Sequence, residues 1–206
     1  MKILSVSDRV ETKLLNKAEN GLSAEPDLIL ACGDLPPEYL TDLRQIYAVP
    51  LYFIEGNHDI RYRQSPPVGC TSLHAKLIIE QGLHIMGFSG SRWYNGGVNQ
   101  YTEPEMKKIV RSLWFQLLQH RKVDIIITHA PPRFIHDQKD PCHKGFKSFI
   151  SLIKKQKPAW FIHGHIHKLF NDPAERISKV CNTKVINSYG FFFFETKLVE
   201  KQTKSQ

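Results

Sequence analysis

Residues 51–59 read LYFIEGNHD: an apolar run of strand length, a Glu-Gly break, then Asn57, His58 and Asp59 in succession. A short apolar run rich in branched and aromatic side chains fits a strand covered on both faces, and the glycine marks where it stops. Directly after the stop comes a set of oxygen and nitrogen donors. The same grammar recurs as ILSVSD at 3–8, LILACGD at 28–34, DIIITH at 124–129 and WFIHGHIH at 160–167. Five buried strands thus end in Asp, Asn or His. Open α/β sheets bind ligands at the carboxyl ends of their strands, so these side chains are expected to share one sheet edge.

The rest of the chain alternates strand and helix patterns. Strands are expected at 2–6, 28–32, 51–54, 76–79, 84–88, 124–128, 160–163, 184–187 and 191–195. The clearest helix spans 103–120. Thr102 and Glu105 form a capping box, Pro104 sits in the first turn, and Met106, Ile109, Val110, Leu113, Trp114, Leu117 and Leu118 recur as one apolar face expected to be core. Further helices are expected at 12–19, 37–46 and 146–155. The segments 65–70, 89–97 and 130–145 read as loops, and long loops within a compact domain are usually functional. The pattern is that of an α/β domain with a strand-rich middle and end.

At 206 residues the chain suits one domain over 1–206, its last six residues forming a flexible basic tail. Hydrophobic content of 41% against 23% charged residues is globular composition rather than that of a disordered chain. No apolar run approaches the roughly 18 residues of a membrane helix, and the N-terminus builds no signal-peptide core. A soluble, cytoplasmic protein is the expectation. Cys32, Cys70, Cys142 and Cys181 stand singly, which fits reduced, packed thiols and no zinc ribbon. The net charge of +8 favours anionic partners, but Lys154, Lys155, Lys157, Lys201 and Lys204 read as solvated lysines rather than a nucleic-acid footprint.

The donors at the five strand ends are carboxylate, amide and imidazole, with no thiolate among them. That set selects divalent Mn, Fe, Zn or Mg. A Gly-Asp or a lone His after a strand is commonplace by itself. The strings GNHD and GHIH, taken with the order along the chain, carry the reading.

With these motifs the sequence resembles the calcineurin-like metallophosphoesterase superfamily from Lys2 to about Glu195, and small prokaryotic phosphoesterases in particular. The resemblance implies a four-layer αββα sandwich of two mixed sheets with a dinuclear metal centre at one edge. It implies that Asp8 and His167 bind a first ion, that Asp34 bridges both, and that Asn57, His129 and His165 bind the second, Mn suiting the set best. It further implies that His58 contacts the phosphate and protonates the leaving oxygen, that Asp59 orients the His58 ring, and that a metal-activated water or hydroxide is the nucleophile.

One departure stands out. The usual first motif is Asp-x-His, and here it is Asp8-Arg9-Val10, so the first ion loses an imidazole and is expected to bind more weakly; Glu11 is close in sequence, and the local turn decides whether it compensates or points away. Arg61, Arg92 and His143 are candidate phosphate contacts, and Trp93, Tyr94 and Tyr101 candidate pocket walls. Hydrolysis of a small-molecule phosphomonoester or phosphodiester is the expected activity. A nuclease and a non-catalytic scaffold of the same fold are the alternatives.

Overall fold

Along β1 (Lys2–Ser7), β2 (Leu28–Ala31) and β3 (Leu51–Phe53), neighbouring side chains are buried on opposite faces of one sheet. Both faces are covered, which is why these strands are continuously apolar rather than alternating with polar residues. In the computed structural model, which describes residues 1–16, 25–120 and 122–197, that sheet runs β13-β1-β2-β3-β4, with β4 at Thr71–Ser72 and β13 at Gly190–Glu195. β13 is antiparallel to β1 and the other pairs are parallel.

The second sheet has the order β11-β12-β10-β9-β6-β5. Its members are β5 (Lys76–Glu80), β6 (Leu83–Phe88), β9 (Ile125–Thr128), β10 (Trp160–His163), β11 (Ile177–Val180) and β12 (Thr183–Asn187). The four inner strands are parallel and the two edge strands antiparallel to them. A parallel pair, β7 (Ser91–Arg92) with β8 (Gln100–Tyr101), lies apart.

The period of two sorts residues into layers. Ile3, Leu28, Leu30, Ile125, Ile127, Ile162 and Ile186 meet between the sheets. Their neighbours Leu4, Ile29 and Ala31 face α1 (Thr12–Leu15) and α2 (Pro37–Tyr47), packing on Leu14, Leu40 and Leu43. On the far side Ile126, Phe161 and Val185 pack on Met106, Phe149 and Leu152 of α3 (Glu103–Ser112) and α5 (Lys147–Gln156). The result is the expected αββα sandwich.

All nine expected strands are present, and the capping box at Thr102 is formed as read. Several expectations need correction. The helix over 103–120 is two helices, α3 and α4 (Trp114–His120), parted at Leu113, where ψ is 5°. That break resets the phase of the apolar stripe: Met106, Leu113 and Leu117 are core, whereas Trp114 and Leu118 are exposed. The helix over 12–19 is helical at Thr12–Leu15; residues 17–19, like the tail at 201–206, lie outside the described residues. β4, β7 and β8 are too short to show a period, and β11 (ISKV) mixes polar and apolar residues on an edge. No described helix is long and apolar enough to cross a membrane.

The layering has a direct consequence. Replacing Ile127, fully buried between the sheets, by Ala is expected to cost about 3 kcal/mol, while Phe115→Ala on α4, where Phe115 is 81% exposed, should stay within about 0.5 kcal/mol. Urea unfolding of the two variants measures both; equal losses would contradict this placement.

Candidate metal centre

Because β1, β2 and β3 are parallel in one sheet and β9 and β10 in the other, their carboxyl ends deliver Asp8, Asp34, Asn57, His129 and His165 to one edge of the sandwich. The sheets are stitched together there. Nδ1 of His129 donates to the Cys32 carbonyl at 2.8 Å, the Gly164 N–H donates to the His129 carbonyl at 3.1 Å, and the His165 N–H donates to the Asp8 carboxylate at 2.9 and 3.1 Å. Gly56 and Gly164 allow this closeness. A Cβ on Gly56 would collide with the Asp34 carboxylate, and one on Gly164 with Ser7 Oγ and Asp8. Asp8, Asp34 and His165 themselves adopt positive φ of 63°, 56° and 66°, a region costly for most residues but better tolerated by Asp and His.

The bond to Cys32 settles the chemistry of His129. With the hydrogen on Nδ1, the lone pair of the neutral ring sits on Nε2. That atom is 3.2 Å from Asp34 Oδ2 and 3.2 Å from Asn57 Oδ1. In the neutral ring three acceptors would face one another in a buried place, an arrangement that calls for a cation. In the metal-free chain a proton answers it. Burial alone would lower the pKa of His129, but the charge of Asp34 and the hydrogen bond to it outweigh burial and raise it to about 10. The same pairing overrides burial at Asp34 and holds its carboxyl well below the usual carboxylate range.

His165 completes the cluster. Its Nε2 donates to the Cys142 carbonyl at 2.8 Å, leaving the lone pair on Nδ1, and burial together with the nearby His129 charge lowers its pKa to about 4. Donor atoms of Asp34, His129 and His165 lie within 4.8 Å of one another, a spacing able to hold one divalent ion.

Asp8 and His167 form a neighbouring corner. The Asp8 side chain is buried, accepts from the Ser7 hydroxyl, and lies 3.4 Å from Nε2 of the half-exposed His167, whose pKa it raises through that hydrogen bond. Val10 is 41% exposed and Glu11 does not join the corner: its carboxylate pairs with Arg9 at 3.4 Å and Lys13 at 3.9 Å.

Asp59 behaves differently from the expectation that it orients the His58 ring. Its carboxylate accepts the backbone N–H groups of Asp34 (2.8 Å), Leu35 (3.1 Å) and Gly56 (2.7 Å), so it clamps the β2 and β3 turns together. Burial and the adjacent Asp34 charge push its pKa up to about 7. His58 is exposed, and its N–H donates to Asp34 Oδ1 at 2.8 Å. The ring makes no hydrogen bond to described residues and lines a cleft of about 220 Å³ with Asp34, Arg61 and Tyr62.

The weaker candidates divide. Arg61 lines the His58 cleft while pairing with Glu38. Arg92 lies outside the cluster, paired with Glu103 at 3.1 Å and over the Phe146 ring. The His143 ring is 5.2 Å from that of His165 and bonds Asp140 at 3.0 Å. Of the loop aromatics, Tyr94 reaches the site, its hydroxyl accepting from Asn57 Nδ2 at 3.2 Å. The backbone carbonyls of Cys32 and Cys142, which fix both imidazole tautomers, left no mark in the pattern of side chains. Below the site, His163 is fully buried; its Nδ1 donates to the Gly164 carbonyl and its Nε2 accepts from His136, both at 2.8 Å.

Comparison with known proteins agrees with this architecture. The family model described as calcineurin-like phosphoesterase matches residues 8–169. The fold is similar to that of TT1561 of Thermus thermophilus, at 15% identity over 92% of this chain and 89% of that one, with a TM-score of 0.65. It is also similar to GAP50, the anchor in the inner membrane complex of Plasmodium, at 11% identity over 91% of this chain and 70% of that one, with a TM-score of 0.52. No curated protein matches the chain.

A cation entering the cluster must displace the proton on His129. Metal binding is therefore expected to release a proton, with apparent affinity rising about tenfold per pH unit across the neutral range. Calorimetric titration in two buffers of different ionisation enthalpy checks this, and identical heats in the two would contradict it.

Proposed function

Because the chain belongs to the calcineurin-like phosphoesterase family, we propose that it is a metal-dependent hydrolase of small-molecule phosphomonoesters or phosphodiesters. The observation that carries the reading is the convergence of His129 Nε2 on Asp34 and Asn57, each at 3.2 Å, a set that becomes three acceptors once His129 gives up its proton, beside the exposed ring of His58. Asp34, Asn57, His129 and His165 would hold one divalent ion, Mn best suiting the donors. Asp8 and His167, with Asp34 shared, would hold a second more weakly, since Val10 and Glu11 supply no ligand there. Such ions supply positive charge for the phosphoryl oxygens and lower the pKa of a water.

The side chains do the remainder. The Cys32 and Cys142 carbonyls hold the Nδ1–H of His129 and the Nε2–H of His165, leaving His129 Nε2 and His165 Nδ1 as the nitrogens that would meet an ion. Asp59, through three N–H groups, fixes the turns that present Asp34 and Asn57, and so acts as a positioning residue. His58 is held by its backbone to Asp34, with its ring turned to the cleft, where it can touch a phosphate oxygen and hand a proton to the leaving group. Arg61 on the same wall can meet a phosphate at the cost of its exposed pair with Glu38, which is worth little in water.

Two outcomes are expected. With Mn, the chain should hydrolyse p-nitrophenyl phosphate or its bis-ester, and His58→Ala should lower kcat about 10²- to 10⁴-fold with metal content unchanged. No turnover by loaded protein, or full activity in the variant, would overturn the mechanism. In a Mn titration the first equivalent should bind at least about tenfold more tightly than the second, and His167→Ala should weaken only the second.

A further inference from the structure

Beside the Asp8–His167 corner lies a second, smaller cleft of about 130 Å³, bordered by Arg9, Glu11, Lys13, Lys168, Arg176 and Tyr189. That is well short of the ~300 Å³ from which whole-ligand pockets begin, so it suits one group of a larger molecule. Its charge is lopsided, with four cations around one carboxylate. Glu11 is engaged by Arg9 and Lys13 at 3.4 and 3.9 Å, and Lys13 also stands over the Phe191 ring at 4.4 Å. Lys168 and Arg176 form no ion pair with any described carboxylate.

Arg176 is the telling member. Its Nη1 donates to the carbonyls of Asn187 and Tyr189, both at 3.2 Å, and its guanidinium lies over Phe170 at 4.4 Å. Its Nε is buried without a hydrogen-bond partner. A half-buried guanidinium whose nearest carboxylate, Glu11, is already shared with Arg9 and Lys13 is under-compensated, and an arriving anion offsets that cost. The site is also held firm: Asn187 accepts from the Tyr189 N–H at 3.0 Å and donates to the Ile166 carbonyl at 2.9 Å, tying the cleft to the GHIH turn.

The cleft shares a wall with the metal centre. Tyr189 has its ring 5.0 Å from that of His167, and Arg9 and Lys168 directly follow Asp8 and His167 in the chain. We propose that it is a subsite for a second anionic group of the substrate, a phosphate by charge balance, so that the substrate class is a phosphoester carrying a further phosphate. Guanidinium and ammonium groups together suit such an oxyanion. The inference rests on the phosphoesterase reading for the word substrate, but the subsite itself does not depend on catalysis.

The test has two arms on the full chain. In the first, inorganic phosphate is titrated into metal-free protein by calorimetry. The double variant Arg9→Gln/Lys168→Gln, altered at exposed positions, should bind about tenfold more weakly than the unaltered chain, and Glu11→Gln, which removes the carboxylate, about threefold or more tightly. Opposite shifts of that kind are not produced by a general loss of structure. In the second arm, Mn-loaded protein is given 1,3-propanediol bisphosphate and the monophosphate. The ratio of kcat/KM should exceed the about twofold statistical advantage of two esters by at least about tenfold, and should fall towards it in the double variant. Phosphate affinity unmoved by either variant overturns the subsite. Opposite shifts without turnover of either ester uphold it and refute the phosphoesterase reading; turnover with a ratio near two in the unaltered chain refutes the substrate class.

Discussion

The bond from His129 Nδ1 to the Cys32 carbonyl joins the two sheets and decides what the sheet edge can bind. Cys32 follows β2 and His129 follows β9, so the contact requires both sheets to stop at the same height. It also fixes a hydrogen on Nδ1, so that Nε2 is the nitrogen turned towards Asp34 and Asn57. In the metal-free chain a proton on His129 meets the Asp34 carboxylate, in the place a cation would take. The isoleucine-rich layer between the sheets holds the parts in place while the polar groups oppose one another.

The candidate site is unequal in its two halves. The cluster around Asp34 is enclosed, with His129 fully buried and His165 capped by the Cys142 carbonyl. The Asp8–His167 corner is open on one side, and the residue that would have reinforced it is an exposed valine. Around that weaker half stand the cations of the neighbouring cleft. Charge missing from one side of the site is thus partly restored by side chains on its rim, in a form that recognises an anion instead of activating one.

Much of this was legible in the sequence because strand ends are local features. Runs such as IIIT at 125–128 and WFIH at 160–163 read as strands covered on both faces, and the donor after each could be named from residue type. What could not be read depends on direction in space. Asp59 adjoins His58 in the chain, yet the turn aims its carboxylate at the amides of Asp34, Leu35 and Gly56. Glu11 adjoins the first motif, yet points to Arg9 and Lys13. The carbonyls that set the imidazole tautomers belong to the backbone and have no residue signature. Leu113 parts two helices with no proline or glycine to announce it, and so Trp114 and Leu118 face solvent where an unbroken helix would have buried them.

The central claim is that the cluster of Asp34, Asn57, His129 and His165 exists to hold a divalent cation. A crystal of the chain grown with Mn, with anomalous scattering recorded at a wavelength where Mn contributes strongly, addresses it directly. The account predicts the strongest peak among Asp34, His129 and His165, with Nε2 of His129 facing it and Nδ1 still on the Cys32 carbonyl. A strongest peak elsewhere, or a His129 ring turned so that Nδ1 faces Asp34, would contradict it.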